Sequence, residues 1–228
     1  MNKLEITVEE ISNQEREIYR TLRTNIEFTG IENRVIAVTS CAPNDGKSTV
    51  SYELANAFAE TGKKALLIDA DLRKSVLLNR LGIQEKVKGL SHVLSGQCNI
   101  NDVICATNKP NFYMIPAGVF PPNPTELLGN ERFVKLLKAV KDVFAYVIVD
   151  TPPIGSVIDA AVIAKVCDGT VLVLKSDGVT RSLAKTAAEQ IRSSNENILG
   201  VVLNKVDVKA NGYYGKYGKY KEYGYGNY

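Results

Sequence analysis

The sequence holds a single histidine, His92, and four scattered cysteines, Cys41, Cys98, Cys105 and Cys167. No two cysteines form a CxxC pair and no histidine cluster accompanies them. That argues against a zinc site and for reduced thiols in a cytosolic protein. No apolar run approaches the roughly 18–20 residues needed to span a bilayer. The opening segment, Met1 to Glu10, is polar and acidic, without the basic and apolar regions of a signal peptide. Neither sign of charge dominates: the net charge is +3, too small to make nucleic acid the main partner. These absences leave a soluble cytoplasmic chain. Its 228 residues, 45% of them apolar, fit one large α/β domain with a sizeable core.

The pattern of apolar residues organises that domain. Residues 7–28 read as an amphipathic helix, with Thr7 and Glu10 as a capping box and Ile11, Ile18, Leu22 and Ile26 at helical spacing. Short apolar runs at Arg34–Thr39, Ala65–Asp69, Phe112–Ile115, Tyr146–Val149, Thr170–Leu174 and Ile198–Leu203 read as buried strands. Helical stretches separate them at Ser48–Glu60, Asn130–Val140, Asp159–Cys167 and Arg181–Arg192. Apolar strands alternating with helices predict a mostly parallel central sheet flanked by helices on both faces, the architecture of P-loop NTPases. Ligands of such a sheet bind beyond the carboxyl ends of its strands. Three regions follow: an N-terminal helix in residues 1–30, a P-loop domain in 31–209, and a tail in 210–228.

The strongest chemical signal lies between the first of these strands and its helix, in Ala42-Pro43-Asn44-Asp45-Gly46-Lys47-Ser48-Thr49. A glycine-rich loop lets backbone N–H groups approach phosphate oxygens, and the helix N-terminus adds positive potential. Lys47 is placed to reach the β- and γ-phosphates, and the Ser48 hydroxyl to hold Mg²⁺. Cys41 stands where the usual pattern has its first glycine, and a capped helix start is the bland alternative. Two further acid sites strengthen the reading. Asp150 follows the strand Tyr146–Val149, before Thr151-Pro152-Pro153, in the manner of an acid beside the metal. Asp69 and Asp71 end another strand, where alternate residues share a side; acids that merely cap a following helix are the structural alternative.

From Ala210 onward aliphatic side chains nearly vanish. Tyr213, Tyr214, Tyr217, Tyr220, Tyr223, Tyr225 and Tyr228, seven of the eleven tyrosines in the chain, sit there among glycines and Lys216, Lys219 and Lys221. Such a segment has nothing to bury and is expected to be disordered when free. Aromatic and basic residues together can also stack nucleic-acid bases, but beside an ATP site the tyrosines read as phosphoacceptors. Each phosphate would add about −1.5 to −2 charges.

Taken together and in order, these elements resemble the bacterial tyrosine kinases that regulate capsule and exopolysaccharide synthesis. The resemblance covers nearly the whole chain. Ala42–Thr49 resembles the Walker A motif, Leu67–Lys74 the Walker A′ and Val147–Pro153 the Walker B. Gly118–Leu128 is similar to a stretch typical of the family. Ser75, just after the Walker A′ segment, stands where proline is usual. The resemblance implies ATP and Mg²⁺ as cofactors and phosphorylation of the tail tyrosines in trans. It implies Lys47 on the phosphates, Pro43 to Thr49 around the nucleotide, and Ser48, Asp71 and Asp150 around the metal. Asp69 would accept the tyrosine proton, with Asp71 as rival, and Asn204, followed by Lys205 and Asp207, would lie on the adenine side.

Glu17, Arg20 and Arg23 match a Glu-x-x-Arg-x-x-Arg motif that the resemblance assigns to contacts between subunits of a ring, an octamer being one such ring. Their spacing puts them on one helix face, and a solvated charged face is the alternative. The absence of a preceding transmembrane domain is similar to the Gram-positive arrangement. There a separate transmembrane activator holds the kinase at the inner face of the membrane, and a cognate tyrosine phosphatase reverses the modification. Two other classes stay open. One is an ATPase switch of the partitioning or septum-placement type, opposed by Ala42 at the position of its signature lysine and by the lack of a terminal basic amphipathic helix. The other is a non-catalytic scaffold controlled by ATP.

Overall fold

The computed structural model describes residues 2–207; the tail tyrosines and their expected disorder lie outside the described residues. The apolar runs become strands because β-branched residues on both faces of a buried sheet find packing partners on both sides. The strands are β1 (Asn2–Leu4), β2 (Val35–Ser40), β3 (Ala65–Asp69), β4 (Cys105–Thr107), β5 (Phe112–Ile115), β6 (Tyr146–Asp150), β7 (Gly169–Lys175) and β8 (Ile198–Asn204). They form one sheet in the order β1-β4-β5-β3-β6-β2-β7-β8. All neighbouring pairs are parallel except β4 with β5.

The helices are α1 (Asn13–Glu27), α2 (Lys47–Ala59), α3 (Leu77–Arg80), α4 (Leu90–Leu94), α5 (Pro124–Leu128), α6 (Glu131–Val143), α7 (Asp159–Ala164) and α8 (Arg181–Arg192). Two apolar layers cover the sheet. One gathers Ile36, Val38, Leu67 and Ile148 with Leu54 and Phe58 of α2, Ile26 of α1 and Leu77 of α3. The other gathers Ala37, Ile68 and Val149 with Leu90 of α4, Leu128 of α5, Phe133 and Leu136 of α6 and Ile163 of α7. Ala187 and Ile191 of α8 close over Leu172 beside α7. Among the described residues no helix is long and apolar enough to cross a membrane, and all four cysteines are unpaired.

The N-terminal region differs from the sequence reading. The helix begins at Asn13, capped by a reciprocal box in which the Ser12 hydroxyl accepts from Glu15 N–H and the Glu15 carboxylate accepts from Ser12 N–H. The pair Thr7 and Glu10 is not that box. Thr7 is instead drawn to the turn after α3, donating its N–H to Leu81 O and its hydroxyl to Gly82 O. Upstream of it, residues 2–4 extend the sheet edge by pairing parallel with β4. A three-residue strand beside another three-residue strand carries too little periodicity to be read from sequence. Ile18 is also misplaced by periodicity alone: it stays 61% exposed, whereas Ile26 is buried.

Glu53 of α2 is buried, facing the charges of Lys109, Glu60, Arg16 and Glu15. Burial, with Lys109 opposing it, pushes its carboxyl from 4.5 up to about 7. A carboxyl raised in the folded state contributes stability below its unfolded value, and that contribution is lost as pH rises from 4.5 through about 7. Glu53→Gln is therefore expected to raise the unfolding midpoint at pH 8 by roughly 4 °C, from about 1–2 kcal/mol, and to leave it unchanged at pH 4.5. Thermal unfolding at the two pH values checks this; an equal shift at both would assign the effect to packing.

Candidate active site

Three adjacent parallel strands, β2, β6 and β3, deliver the site from their carboxyl ends. Val38 and Asp69 both lie in register with Asp150, so the P-loop after β2 opens beside two carboxylates. The loop itself is held open by its own polar groups. Asp45 is buried and accepts from Ala42 N–H at 2.9 Å. Asn44 has φ of 67° and Gly46 of 98°, the left-handed region in which glycine is unstrained. A Cβ on Gly46 would lie 2.1 Å from Asn204 Nδ2, so the close approach also requires glycine. Beyond it Lys47 and Ser48 open α2, with their backbone N–H groups in the first turn.

Asn204 and Lys205, at the end of β8, buttress this loop from outside. Asn204 donates to Asp45 O at 2.9 Å and Lys205 to Asn44 O at 2.8 Å.

Lys47 is the centre of charge. Its Nζ lies 3.5 Å from Asp71 Oδ2, 3.7 Å from Asp150 Oδ2 and 3.1 Å from Ser48 Oγ. Asp150 is buried and accepts from Ser51 Oγ at 3.0 Å. Burial raises its carboxyl above the ordinary range, opposed by Lys47, Ser48 and Ser51. Asp69 is fully buried. Burial, and next the Asp150 charge, push it up to about 7 against a hydrogen bond from Ser75 Oγ. Asp71 N–H donates to Asp69 Oδ1 at 3.3 Å, and Lys74 N–H to Asp71 Oδ1 at 3.0 Å. Like charges gathered in low dielectric around one lysine are unfavourable when empty and suit a ligand that brings cations and phosphate together.

Sequence reasoning did not single out several of these supports. Ser51 lies one helical turn after Lys47, a spacing that would have found it. Ser75 reaches Asp69 from six residues along the same segment, whereas Thr125 and Asp159 are joined to Arg73 only through tertiary contacts. Arg73 binds Asp159 through Nε at 2.6 Å and Nη2 at 3.1 Å, and Thr125 Oγ1 donates to the same carboxylate at 2.6 Å.

The N-terminal motif divides. Arg20 pairs with Glu17 at 2.6 Å and Glu60 at 3.2 Å on the surface, whereas the half-buried Arg23 donates to Ala57 O at 3.0 Å. Thus Glu17 and Arg20 are open to a neighbour, and Arg23 serves the packing of α1 on α2.

A family model described as an AAA domain matches residues 33–204. The tyrosine-protein kinase CpsD of Streptococcus agalactiae is 45% identical, over 96% of this chain and 97% of its own length. The chain belongs to the bacterial tyrosine-protein kinases. The tyrosine-protein kinase YwqD of Bacillus subtilis is 36% identical, over 96% of this chain and 92% of its own. The kinase domain of Escherichia coli tyrosine kinase ETK superposes with a TM-score of 0.82 at 34% identity, covering 93% of this chain and 80% of that one. The kinase is thus a protein-tyrosine phosphotransferase on an ATP-binding P-loop fold.

Proposed function

We propose that this kinase transfers the γ-phosphoryl group of ATP to Tyr213, Tyr214, Tyr217, Tyr220, Tyr223, Tyr225 and Tyr228 of a neighbouring copy, and that the phosphorylation state of the tail regulates capsular or extracellular polysaccharide synthesis. The observation that carries the site assignment is Lys47 lying within 4 Å of carboxylates from two different strand ends. In the transfer, the phenolic oxygen forms the new bond to phosphorus, the bond from phosphorus to the β–γ bridging oxygen breaks, and ADP leaves. The phenolic proton passes to a carboxylate. Asp69, beside Asp150 at the strand ends, is the proposed acceptor; Asp71, the less buried of the two, is the second candidate, and Asn variants at each position separate them. Alignment and neutralisation of charge supply most of the rate in phosphoryl transfer. Lys47 and the loop Pro43–Thr49 would do this at the phosphates, with Asn204, which braces the loop from outside, on the adenine side.

The donor set fits a magnesium ion. A hydroxyl, Ser48, and two carboxylates, Asp71 and Asp150, surround Lys47, and hard oxygen donors that few in number suit a cation that keeps phosphate and water ligands. Mg²⁺ bound there would neutralise the phosphate oxygens as the bridging bond breaks.

Around this chemistry we place a transmembrane activator that recruits the kinase to the inner face of the membrane, a ring of copies meeting through the Glu17, Arg20 and Arg23 motif, and a cognate tyrosine phosphatase. The ATPase-switch alternative loses support because Ala42 occupies the position of its lysine and its N–H is engaged by Asp45.

The test is complementation. Lys47→Met protein carrying its tail is mixed with wild-type kinase lacking residues 210–228, in the presence of Mg-ATP and the activator's cytoplasmic peptide. Phosphate on the mutant's tail is the expected result. ATP consumed with no phosphotyrosine formed would favour the scaffold or switch readings.

A further inference from the structure

The strands fix Asp69 and Asp150 but not Asp71. Asp69 and Asp150 are cross-strand partners in the sheet. Asp71 lies two residues beyond the end of β3, where the backbone has left the ladder. The last sheet-like bond is from Ala70 N–H to Asp150 O, and Leu72 N–H then turns back to Ala70 O. From there the segment 71–76 depends on side chains for its position. Leu72 is buried, Lys74 N–H caps Asp71, and Ser75 caps Asp69. Each of those two hydrogen bonds stays within the segment or the adjoining end of β3. Apart from the ion pair of Asp71 itself with Lys47, Arg73 alone among the described residues ties the segment by polar contacts to elements beyond the adjoining β3 and α3.

That tie has a specific geometry. The Asp159 side chain is wholly buried at the first position of α7, nine residues after Asp150 in the chain. Arg73 takes both of its oxygens, one through Nε and one through Nη2, and Nη2 also reaches Thr125 Oγ1 at 2.9 Å. Thr125 Oγ1 in turn donates to Asp159 Oδ1. Three segments therefore meet in one planar fork: the loop carrying Asp71, the helix following the Asp150 loop, and α5 of the Gly118–Leu128 stretch. A guanidinium can make this bidentate contact; an ammonium is a single point charge and cannot.

We infer that Arg73, with Asp159 and Thr125, is a positioning device for the phosphoryl-transfer site: it fixes Asp71 relative to Lys47 and Asp150 and couples that distance to α5. The inference rests on the assignment of Asp71 to the active site. Misplacing a reacting group by about 1 Å costs on the order of a hundredfold in rate, so the device should act on turnover rather than on nucleotide binding.

The test uses the full chain, with phosphate incorporation into the tail at saturating Mg-ATP, affinity for a fluorescent ADP analogue, and thermal unfolding measured in parallel. Arg73→Lys retains the charge and loses the fork. It is expected to lower kcat roughly 10- to 100-fold while the KM for ATP and the ADP affinity stay within about twofold of wild type. Asp159→Asn should also lower kcat, and the double variant should be no slower than the slower single, as expected for residues acting as one unit. Methylguanidinium added to Arg73→Ala should restore part of the lost rate.

Wild-type kcat in Arg73→Lys would overturn the inference. So would losses that multiply in the double variant, or that follow the unfolding midpoints without chemical rescue. Asp71→Asn in the same assay reads the underlying assignment. Full activity there removes the site reading and the device with it, whereas an inactive Asp71→Asn beside a fully active Arg73→Lys removes the device alone.

Discussion

Kinase carrying Lys47→Met is expected to phosphorylate tail tyrosines at least a thousandfold more slowly than wild type while remaining folded. The magnitude follows from what Lys47 does. It is the only cation in contact with Asp71 and Asp150 among the described residues, and its side chain is 11% exposed. In a buried site a fixed charge acts through a much lower dielectric than in water. A single positive group placed on the transferring phosphate in related chemistry contributes factors of about 10³–10⁵. Methionine fills most of the volume of the lysine side chain, so the fold is expected to be retained. Initial rates of phosphotyrosine formation with an unmodified tail as acceptor, alongside circular dichroism, make the check. A rate within tenfold of wild type would mean that the phosphates are neutralised elsewhere and that the site has been assigned to the wrong lysine.

For Asp150→Asn, activity and stability should move apart. Asn keeps the shape and the oxygen that accepts from Ser51, but it removes a charge whose burial is only partly compensated by Lys47. Replacing buried ionic groups by neutral ones of similar volume is often neutral or stabilising. An unchanged or higher unfolding midpoint at neutral pH is therefore expected. The rate of tail phosphorylation should fall roughly a hundred- to a thousandfold, the range seen when one preorganised electrostatic contact is lost from an active site. Thermal unfolding without nucleotide and initial rates with Mg-ATP measure both halves. A lower midpoint with activity retained would make Asp150 a structural acid holding Ser51 and α2, and would transfer the metal-side role to Asp71.

This opposition has a general cause. Asp69, Asp71 and Asp150 are gathered around one ammonium group, and Asp69 is held near 7 by burial and by Asp150. Such an arrangement costs folding free energy in the absence of ligand and is retained where function needs it. A similar logic sets Glu53 apart: it too is raised to about 7, but it faces α1 and the β4–β5 loop rather than the P-loop, and removing its charge should cost nothing in activity.

By itself the sequence determined what repeats and what is contiguous. Six of the eight strands and the helices α2, α6 and α8 follow from runs of apolar residues, because a strand buried on both faces needs an unbroken run. The P-loop was equally legible, since Asp45, Gly46, Lys47 and Ser48 act as neighbours and the left-handed turn at Gly46 must be glycine. Asp69, Asp71 and Asp150 could be named because each stands at or just past a strand end. Tertiary structure alone decided everything joined across long separations. Leu4 enters the core because β1 pairs with a strand a hundred residues away. Asn204 supports a loop 159 residues distant, and Asp159 meets Arg73 across 86. No local periodicity encodes such contacts: their partners are chosen by the folded sheet, and a single buried carboxylate such as Asp159 looks in sequence like any acid at the start of a helix.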